Sequence, residues 1–238
     1  MKTGLFFIPL AGLLLANAAQ AAVCQNVNGA PTTVDYDLST TLTAAQNAAG
    51  NTVQLTKNQE VNVQAVCPAG SAFSNRTYRS YVSPYAVVET SGPWKYLKLD
   101  PDYLEGAMRI DDSAAGTLYL PTNYAYMGTD DSVNAGKPFY IRDSNLVFQL
   151  KIARPFVGTV TITPKTMFNV YVTTGTSDPL SNVVYNIAYS GTVTVPQSCE
   201  INAGQTILVD FGSLYSGGFN RAGAKPVSVR NKKFRVPV

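Results

Sequence analysis

Apolar side chains occupy alternate positions in one segment after another of this chain, and no other feature limits its fold as strongly. Residues 146–152 read LVFQLKI, in which the apolar even positions form one face opposite Gln149 and Lys151. A repeat of two residues is the period of a β-strand that buries one face. The same alternation recurs in residues 34–38, 61–67, 168–172, 183–189 and 207–211. The sequence therefore predicts a fold built from many short strands.

Clusters of turn-forming residues separate these segments. They are PAG at Pro68, SGP at Ser91, NAGKP at Asn134, SDP at Ser177 and YSGG at Tyr215. No stretch long enough for a helix carries an apolar stripe with a 3.6-residue period, and residues 43–49 read as one helical turn or a loop. Short strands without crossover helices favour two sheets packed as an antiparallel sandwich. We therefore predict an all-β protein of the β-sandwich class.

The first 21 residues have the organisation of a secretory signal peptide. Lys2 supplies the basic start, residues 5–16 form an apolar run, and residues 19–21 read AQA, a typical cleavage site. The apolar run is shorter than the roughly 20 residues that a membrane-spanning helix needs. We expect the chain to be exported, with a mature form that begins at Ala22.

The composition excludes several kinds of active site. The chain contains no histidine, which rules out a Ser-His-Asp triad, a Cys-His dyad and imidazole-bound zinc. Its 18 Lys and Arg against 15 Asp and Glu give a formal net charge of +3, too weak a basic excess to indicate a nucleic-acid partner. The acidic turns at residues 111–116 and 130–136 lack the spacing of a calcium loop. We expect no cofactor, no metal and no nucleic acid.

The chain has three cysteines, and two of them are natural partners. Cys24 and Cys67 each lie beside or within a strand-like segment, and exported proteins form disulfides. Cys199 has no evident partner. Applying the Cys24–Cys67 spacing to Cys199 places a partner a few residues beyond Val238, in a domain that is cut short. The alternative is a free thiol in a complete protein, a state that invites disulfide exchange.

A domain boundary is expected just before Cys199. Pro196 cannot donate a hydrogen bond to a sheet, so it belongs at a strand end or in a linker. We predict a first domain over residues 22–195, a linker over residues 196–198 and a second, incomplete domain over residues 199–238.

The segment after this boundary resembles subunits of the chaperone–usher fimbriae (pili) of Gram-negative bacteria. The resemblance is carried by a cysteine, a D-F-G triplet and the residues that follow them: Cys199, Asp210, Phe211, Gly212, Phe219, Ala222, Gly223 and Pro226. It covers the last sixth of the chain, and the signal peptide and cysteine placement extend it more loosely. The resemblance implies that residues 199–238 begin an immunoglobulin-like pilin domain, in which truncation leaves Cys199 unpaired.

The family's assembly mechanism has implications for the whole chain. A pilin domain lacks its last strand, which a periplasmic chaperone and then a neighbouring subunit supply at an outer-membrane usher, a form of β-strand addition. Cys24 is only the third residue of the predicted mature chain, so the long N-terminal donor segment of ordinary subunits is missing. Residues 22–195 then resemble the immunoglobulin-like receptor-binding domain of a two-domain tip adhesin. We expect a surface-exposed fimbrial tip or minor subunit that adheres to a host glycan or glycoprotein.

Two other functions remain open. One is a structural adaptor or minor pilin without a receptor of its own. The other is a secreted carbohydrate-active enzyme that would use the carboxylate pairs Asp100/Asp102, Asp111/Asp112 and Asp130/Asp131. A glycosidase needs two carboxyl groups around one glycosidic bond, but neighbouring aspartates in turn-like segments are typical of solvated loops. We therefore predict that the chain is not an enzyme.

Aromatic residues are concentrated between residues 78 and 126, mainly tyrosines. A tyrosine combines a flat apolar face with a polar tip, which suits it to stacking on sugars or to filling a sandwich core. Binding residues of such folds usually lie in loops. We choose the loops of residues 83–94 and 121–131 as binding loops, and we predict receptor contacts in or beside them from Tyr81, Tyr85, Trp94, Tyr96, Asn123, Tyr124, Tyr126 and Asp130.

The resemblance also bears on which sugar is bound. In a mannose-binding member of the family, an Asn-Asp pair follows the second cysteine, and the free α-amino group lies in the sugar site. Here PAGSAF follows Cys67, without an acidic residue. This difference argues against mannose as the receptor, whereas a ligand contact by the amine of Ala22 remains a hypothesis.

Overall fold

The structure is a computed structural model that describes residues 23–57, 61–68, 75–143 and 145–196. The predicted signal peptide, the pilin-motif residues and Cys199 lie outside these ranges. The chain divides into two units after Pro196, so every described residue belongs to the unit Met1–Pro196. The division follows Pro196, the first residue of the predicted linker. The bounds of the two domains, residues 22–195 and 199–238, remain predictions.

Within the described residues the chain forms strands and no helix. The strands are β1 (Gln25–Asn26), β2 (Thr32–Asp37), β3 (Thr40–Thr41), β4 (Thr52–Lys57), β5 (Val63–Val66), β6 (Arg76–Val82), β7 (Glu89–Ser91), β8 (Trp94–Lys98), β9 (Leu104–Asp112), β10 (Gly116–Tyr119), β11 (Thr122–Thr129), β12 (Pro138–Ile141), β13 (Leu146–Ile152), β14 (Gly158–Thr173) and β15 (Tyr185–Val195). Residues 43–49 form turns rather than a helix. Among the described residues, no helix is long and apolar enough to cross a membrane.

The strands form three sheets. The front sheet has the order β11-β6-β14-β15-β2, with β3 also beside β15, and the back sheet has the order β4-β13-β9-β8-β7, with β10 beside β9. A small sheet has the order β1-β5-β12. The predicted all-β fold is confirmed. The pairing is antiparallel except that β2 and β3 run parallel to β15. Parallel neighbours need a long connection, and most of the domain lies between β3 and β15.

Within the described ranges the alternating segments form the core, as the sequence predicts, and residues 207–211 lie outside those ranges. Every apolar residue of the 146–152 alternation is buried, and so are those of residues 168–172. The ring of Tyr189 on the front sheet meets Phe148 on the back sheet edge-on at 5.0 Å, and its hydroxyl contacts the Met108 sulfur at 2.9 Å. Because these residues come from both sheets, the core joins the two sheets as a sandwich.

One glycine marks how closely the core is packed. Gly106 is the third residue of β9, where a Cβ atom would overlap the ring of Phe148 and come within 2.8 Å of Leu99. Interiors packed this closely have few voids, so the added atom would displace one of these side chains. The missing side chain of Gly106 is therefore what admits the Phe148 ring to the core.

The predicted Cys24–Cys67 disulfide is present and fixes one end of the sandwich. The Cys24 amide donates to the Val172 carbonyl at 3.2 Å, and Val23 forms a bridge with Thr173 at the end of β14. The Cys67 carbonyl accepts from the Gly136 amide at 2.7 Å. The disulfide thus ties the start of the domain, the end of β5 and the loop before β12 together, and we name this region the disulfide end.

Candidate functional site

The edge strand β11 leads to the disulfide end and shapes the surface there. Tyr126 pairs with Tyr78, and Thr129 pairs with Arg76, while Tyr78 on its other side pairs with Thr173. The register of β11 shifts twice, which is how β-bulges bend an edge strand. As a result, the side chains of β11 contribute to two surfaces, named below the tyrosine face and the polar cleft.

The tyrosine face consists of Tyr78, Tyr124 and Tyr126. The rings of Tyr78 and Tyr126 have their centroids 5.5 Å apart at a 44° tilt, and Tyr126 is 43% exposed. Tyr124 has a positive φ of 52°, and its hydroxyl donates to the Asp178 carbonyl at 2.8 Å. An aromatic pair with one open ring can pack against an apolar patch of a ligand while its hydroxyls form hydrogen bonds.

The loop after β14 supports the tyrosine face, and sequence reasoning did not select it. One carboxylate oxygen of Asp178 accepts from the amides of Thr174 and Gly175, at 3.0 and 2.9 Å, and from the Thr174 hydroxyl at 3.2 Å. These bonds close the loop in front of Tyr124. The sequence signal was only the turn-forming SDP at Ser177, which marks a loop but not its contact with β11.

The polar cleft lies beside the end of β11. Its volume is about 740 Å³, within the roughly 300–1,000 Å³ usual for ligand clefts. The walls come from the turn between β9 and β10, the end of β11, the loop that follows it, and β12 with the residues after it. The charged and aromatic side chains of the lining are Arg79, Asp112, Asp130, Asp131, Phe139, Tyr140 and Arg142.

The carboxylates of the cleft are held in place by their own turns. Asp130 accepts from the Ser132 amide at 2.8 Å, and Asp112 accepts from the amides of Ala114 and Ala115 at 2.8 and 2.7 Å. Hydrogen bonds from Ser132 hold the pKa of Asp130 below its ordinary value, and the nearby Arg142 guanidinium contributes to the lowering. A carboxylate has about four acceptor positions, so these groups retain capacity for a ligand.

Tyr140 and Arg142 also line the cleft. The guanidinium carbon of Arg142 lies 5.3 Å from the centroid of the Tyr140 ring, a distance suited to a cation–π interaction. The Tyr140 side chain is nevertheless 48% exposed. The cleft therefore offers an open aromatic ring next to a hydrogen-bond donor and, through Asp130, an acceptor.

The base of the cleft is a buried charge network. Arg79 forms an ion pair with Asp143, which is fully buried and also accepts from the hydroxyls of Tyr81, at 2.9 Å, and Tyr185. Burial raises the pKa of both tyrosine hydroxyls well above its ordinary value, and the Asp143 carboxylate adds to the effect. The hydroxyls therefore remain protonated donors, and the positive charge of Arg79 is balanced inside the protein.

The arrangement suits non-covalent binding of a polar ligand. Carboxylates accept, guanidinium groups donate in charge-assisted hydrogen bonds, and a tyrosine ring covers an apolar face. In the ranges that the structure describes, no group of three or more His, Cys, Asp or Glu side chains could hold a metal ion.

Two of the predicted receptor residues lie in the interior. Tyr81 is fully buried with its hydroxyl on Asp143, and Tyr96 is buried with its hydroxyl donating to Gln149 at 2.6 Å. Their rings offer no surface to a receptor, so the structure corrects the prediction for these two residues. Both rings fill the sandwich core, which is the other role that the sequence analysis gave for these tyrosines.

The remaining predicted residues do not share one surface. Tyr85 lies in the loop between β6 and β7 next to Lys165, and Trp94 packs edge-on against Tyr119 in the back sheet at 5.1 Å. Four predicted residues lie on β11 or directly after it, Asn123, Tyr124, Tyr126 and Asp130. Of these, Tyr124 and Tyr126 belong to the tyrosine face, and Asp130 belongs to the polar cleft. The sequence did not indicate Tyr140 or Arg142, and it indicated Asp112 only as part of a carboxylate pair of an enzyme. Ala22 and most of the PAGSAF segment lie outside the described residues.

Comparisons with known proteins identify relatives. Residues 187–238 match the family model described as fimbrial protein. The chain is 53% identical over 213 residues to the type 1 fimbrin D-mannose specific adhesin of Salmonella typhimurium, covering 89% of this chain and 63% of that protein. It is 27% identical over 202 residues to LpfD of Escherichia coli O157:H7, a protein named as a probable minor fimbrial subunit, covering 81% of this chain and 56% of that protein.

A solved structure gives a weaker likeness. The Proteus mirabilis ambient temperature fimbriae adhesin AtfE aligns with a TM-score of 0.36 and 10% identity, over 69% of this chain and 98% of that chain. A score this low supports no conclusion about fold or function. The chain spans less than two thirds of the length of the curated relatives named above. The resemblance to fimbrial subunits that the sequence predicts is confirmed by the family model and by the 53% identity, and this chain is a homologue of fimbrial proteins.

Proposed function

We propose that this chain is the receptor-binding part of a fimbrial tip adhesin and that its receptor is a glycan. The observation that carries the proposal is the 53% identity, over 89% of the chain, to a fimbrial adhesin whose name states a sugar specificity. The chemistry at the end of β11 supports it, since the polar cleft combines acceptors, donors and an open tyrosine ring. Binding of this kind needs no turnover and no cofactor.

The proposed mechanism divides the work between a rigid support and a polar surface. The disulfide and the sandwich core fix β11, and the turn hydrogen bonds of Asp112 and Asp130 hold their carboxylates ready. Such preorganisation lowers the entropy lost when a ligand binds. Display at a fimbrium would follow the family's route, with export through the periplasm, a pilus chaperone, an outer-membrane usher and a strand donated by a neighbouring subunit.

D-mannose is the first sugar to test, because the Salmonella relative is named for it. The segment after Cys67 argues for a different sugar, and that argument remains a prediction. The proposal predicts that the purified full chain binds at least one glycan on a broad array and that the free sugar competes. The glycan should be recovered unchanged. A folded chain that gives no signal on the array, or that cleaves its ligand, would refute the proposal.

The minor-subunit alternative has its own support in the match to LpfD. It predicts a different pair of results, namely silence on the array together with incorporation into fimbriae. An enzymatic role has no comparable support, since the relatives are fimbrial proteins.

A further inference from the structure

The strand β4 forms one edge of the back sheet, and this edge is regular and uncharged. β4 pairs with β13 on one side, and no described strand lies on its other side. Residues 52–56 read TVQLT, without a charge, a proline or a glycine. The ladder between β4 and β13 runs over six residue pairs without a register shift. An exposed edge of this kind is a template on which another strand can pair.

The other edge strands of the two large sheets are protected. β11 has two register shifts, and β3, β7 and β10 are at most four residues long. β2 carries two carboxylates, Asp35 and Asp37. Bulges, short strands and charged residues are the usual means by which proteins prevent edge-to-edge association. Among the described strands of these sheets, β4 is therefore the edge that is suited to a partner.

The free backbone groups of this edge belong to alternate residues. The Ile152 amide of β13 donates to the Asn51 carbonyl at 2.9 Å, so the backbone of Asn51 faces β13. Along an antiparallel pair, residues that hydrogen-bond to the neighbouring strand alternate with residues that do not. The amides and carbonyls of Thr52, Gln54 and Thr56 therefore point away from β13, toward the open side of the sheet.

The apolar side chains of β4 are also incompletely covered. Val53 and Leu55 pack against the core, but both keep part of their surface exposed. Their partners on β13, Leu150 and Phe148, are buried. A strand added beside β4 would cover the remaining apolar surface of Val53 and Leu55, and burial of apolar surface favours association.

From this edge we infer that β4 is an interface between two copies of the chain, paired through their β4 strands in antiparallel orientation. The inference goes beyond the proposed function, since it requires no glycan. A two-fold axis at Gln54 places Val53 opposite Leu55 of the second copy and Thr52 opposite Thr56. All three residues with free backbone groups then meet residues whose groups also point outward, and the same surface serves both copies.

The pairing has a geometric consequence for the two domains. Because the paired strands run in opposite directions, the disulfide ends of the two copies point in opposite directions as well. The polar clefts then lie at opposite ends of the pair.

Residue 54 provides the test, because in this register it faces its own copy across the two-fold axis. Gln54 is exposed. Gln54→Lys and Gln54→Glu each place like charges directly opposite, whereas a mixture of the two variants places opposite charges there. The matched control is Gln25→Lys, which changes an exposed glutamine of β1. All proteins carry Cys199→Ser, so that no disulfide through residue 199 joins two copies.

Sedimentation velocity of the full chain, from about 10 μM to 1 mM, measures the association. Residues 52–56 of two copies bury far less than the roughly 800 Å² per partner of a standard interface, so we expect a dissociation constant on the order of 100 μM. Each Gln54 variant alone should associate about tenfold more weakly or less, and the mixture should restore association. Gln25→Lys should change the constant less than about twofold.

Hydrogen exchange of the protein with Gln54 intact gives a second measurement, which does not depend on the folding of any Gln54 variant. The amides of Gln54 and Thr56 should exchange more slowly at 1 mM than at 10 μM. A chain that remains monomeric at 1 mM, or Gln54 variants that associate as well as Gln25→Lys, would overturn the inference. A mixture of folded Gln54→Lys and Gln54→Glu that fails to associate would also overturn it, since residue 54 would then not face its own copy. The glycan array tests the proposed function separately, whichever result is obtained here.

Discussion

Replacing Asp143 by alanine is expected to destabilise the sandwich by about 3–5 kcal/mol, the usual cost of removing one partner of a buried ion pair. Asp143 is fully buried, and its carboxylate holds Arg79 and the hydroxyls of Tyr81 and Tyr185. Without it, a guanidinium and two protonated hydroxyls lose their acceptor inside the protein. Leaving each buried donor unsatisfied adds a desolvation cost.

Urea unfolding of the full chain, followed by tyrosine or tryptophan fluorescence, measures this effect. Asp102→Ala is the control, because it breaks an exposed pair with Arg154, worth at most about 1 kcal/mol. The double variant Arg79→Met/Asp143→Leu should be more stable than Asp143→Ala, since replacing both charges leaves neither one unpaired. Equal midpoints for Asp143→Ala and Asp102→Ala would show that the network does not hold the fold together.

Loss of the Cys24–Cys67 disulfide is expected to destabilise the domain by about 4 kcal/mol. The two cysteines are 43 residues apart, and on the chain-entropy model a loop of this length restricts the unfolded chain by about that amount. The effect should be measured with the double variant Cys24→Ser/Cys67→Ser, which avoids mispairing with Cys199. The single variant Cys199→Ser keeps the disulfide and should leave the unfolding midpoint of this domain unchanged.

The disulfide prediction also has a functional readout. Because the disulfide end supports the loop before β12 through the Gly136–Cys67 hydrogen bond, the double variant should lose glycan affinity at temperatures well below its unfolding midpoint. Unchanged stability in the double variant would contradict the entropic account. Unchanged affinity would show that the polar cleft keeps its shape without the cross-link.

Local patterns were sufficient to predict several of the strands and the cross-link. The alternation in residues 146–152 matches β13, with its apolar side chains buried, and Cys24 and Cys67 pair as their setting indicates. The parallel pairing of β2 with β15 was not predictable in this way, since these strands are separated by most of the domain. A two-residue period shows that a segment is a strand but does not identify its neighbour.

The receptor residues were harder to predict because burial depends on what covers each face. Tyr81 follows buried Ser80, so that the alternation in β6 is lost where the strand enters the charge network. Tyr96 is covered by Lys151, whose ammonium lies 5.2 Å from the ring centroid. No local signal in the sequence distinguishes these two rings from the open ring of Tyr126.

The polar cleft could not be located from the sequence either. Asp112, Asp130 and Tyr140 come from three different turns or strands, and the fold alone brings them to one surface. Asp130 was selected as a polar residue near tyrosines, and the structure places it in one cleft lining with Tyr140. Sites assembled from separate loops are typical of sandwich folds, where a rigid support carries variable binding segments.

The central claim is that a glycan binds beside β11, and a nuclear magnetic resonance titration of the labelled full chain with a glycan selected on the array tests it most directly. The account predicts that amide shifts change at residues 129–132 and 139–142 and at Asp112, with little change in residues 85–88. Shift changes confined to other surfaces, or none at a glycan concentration that saturates binding on the array, would contradict the account.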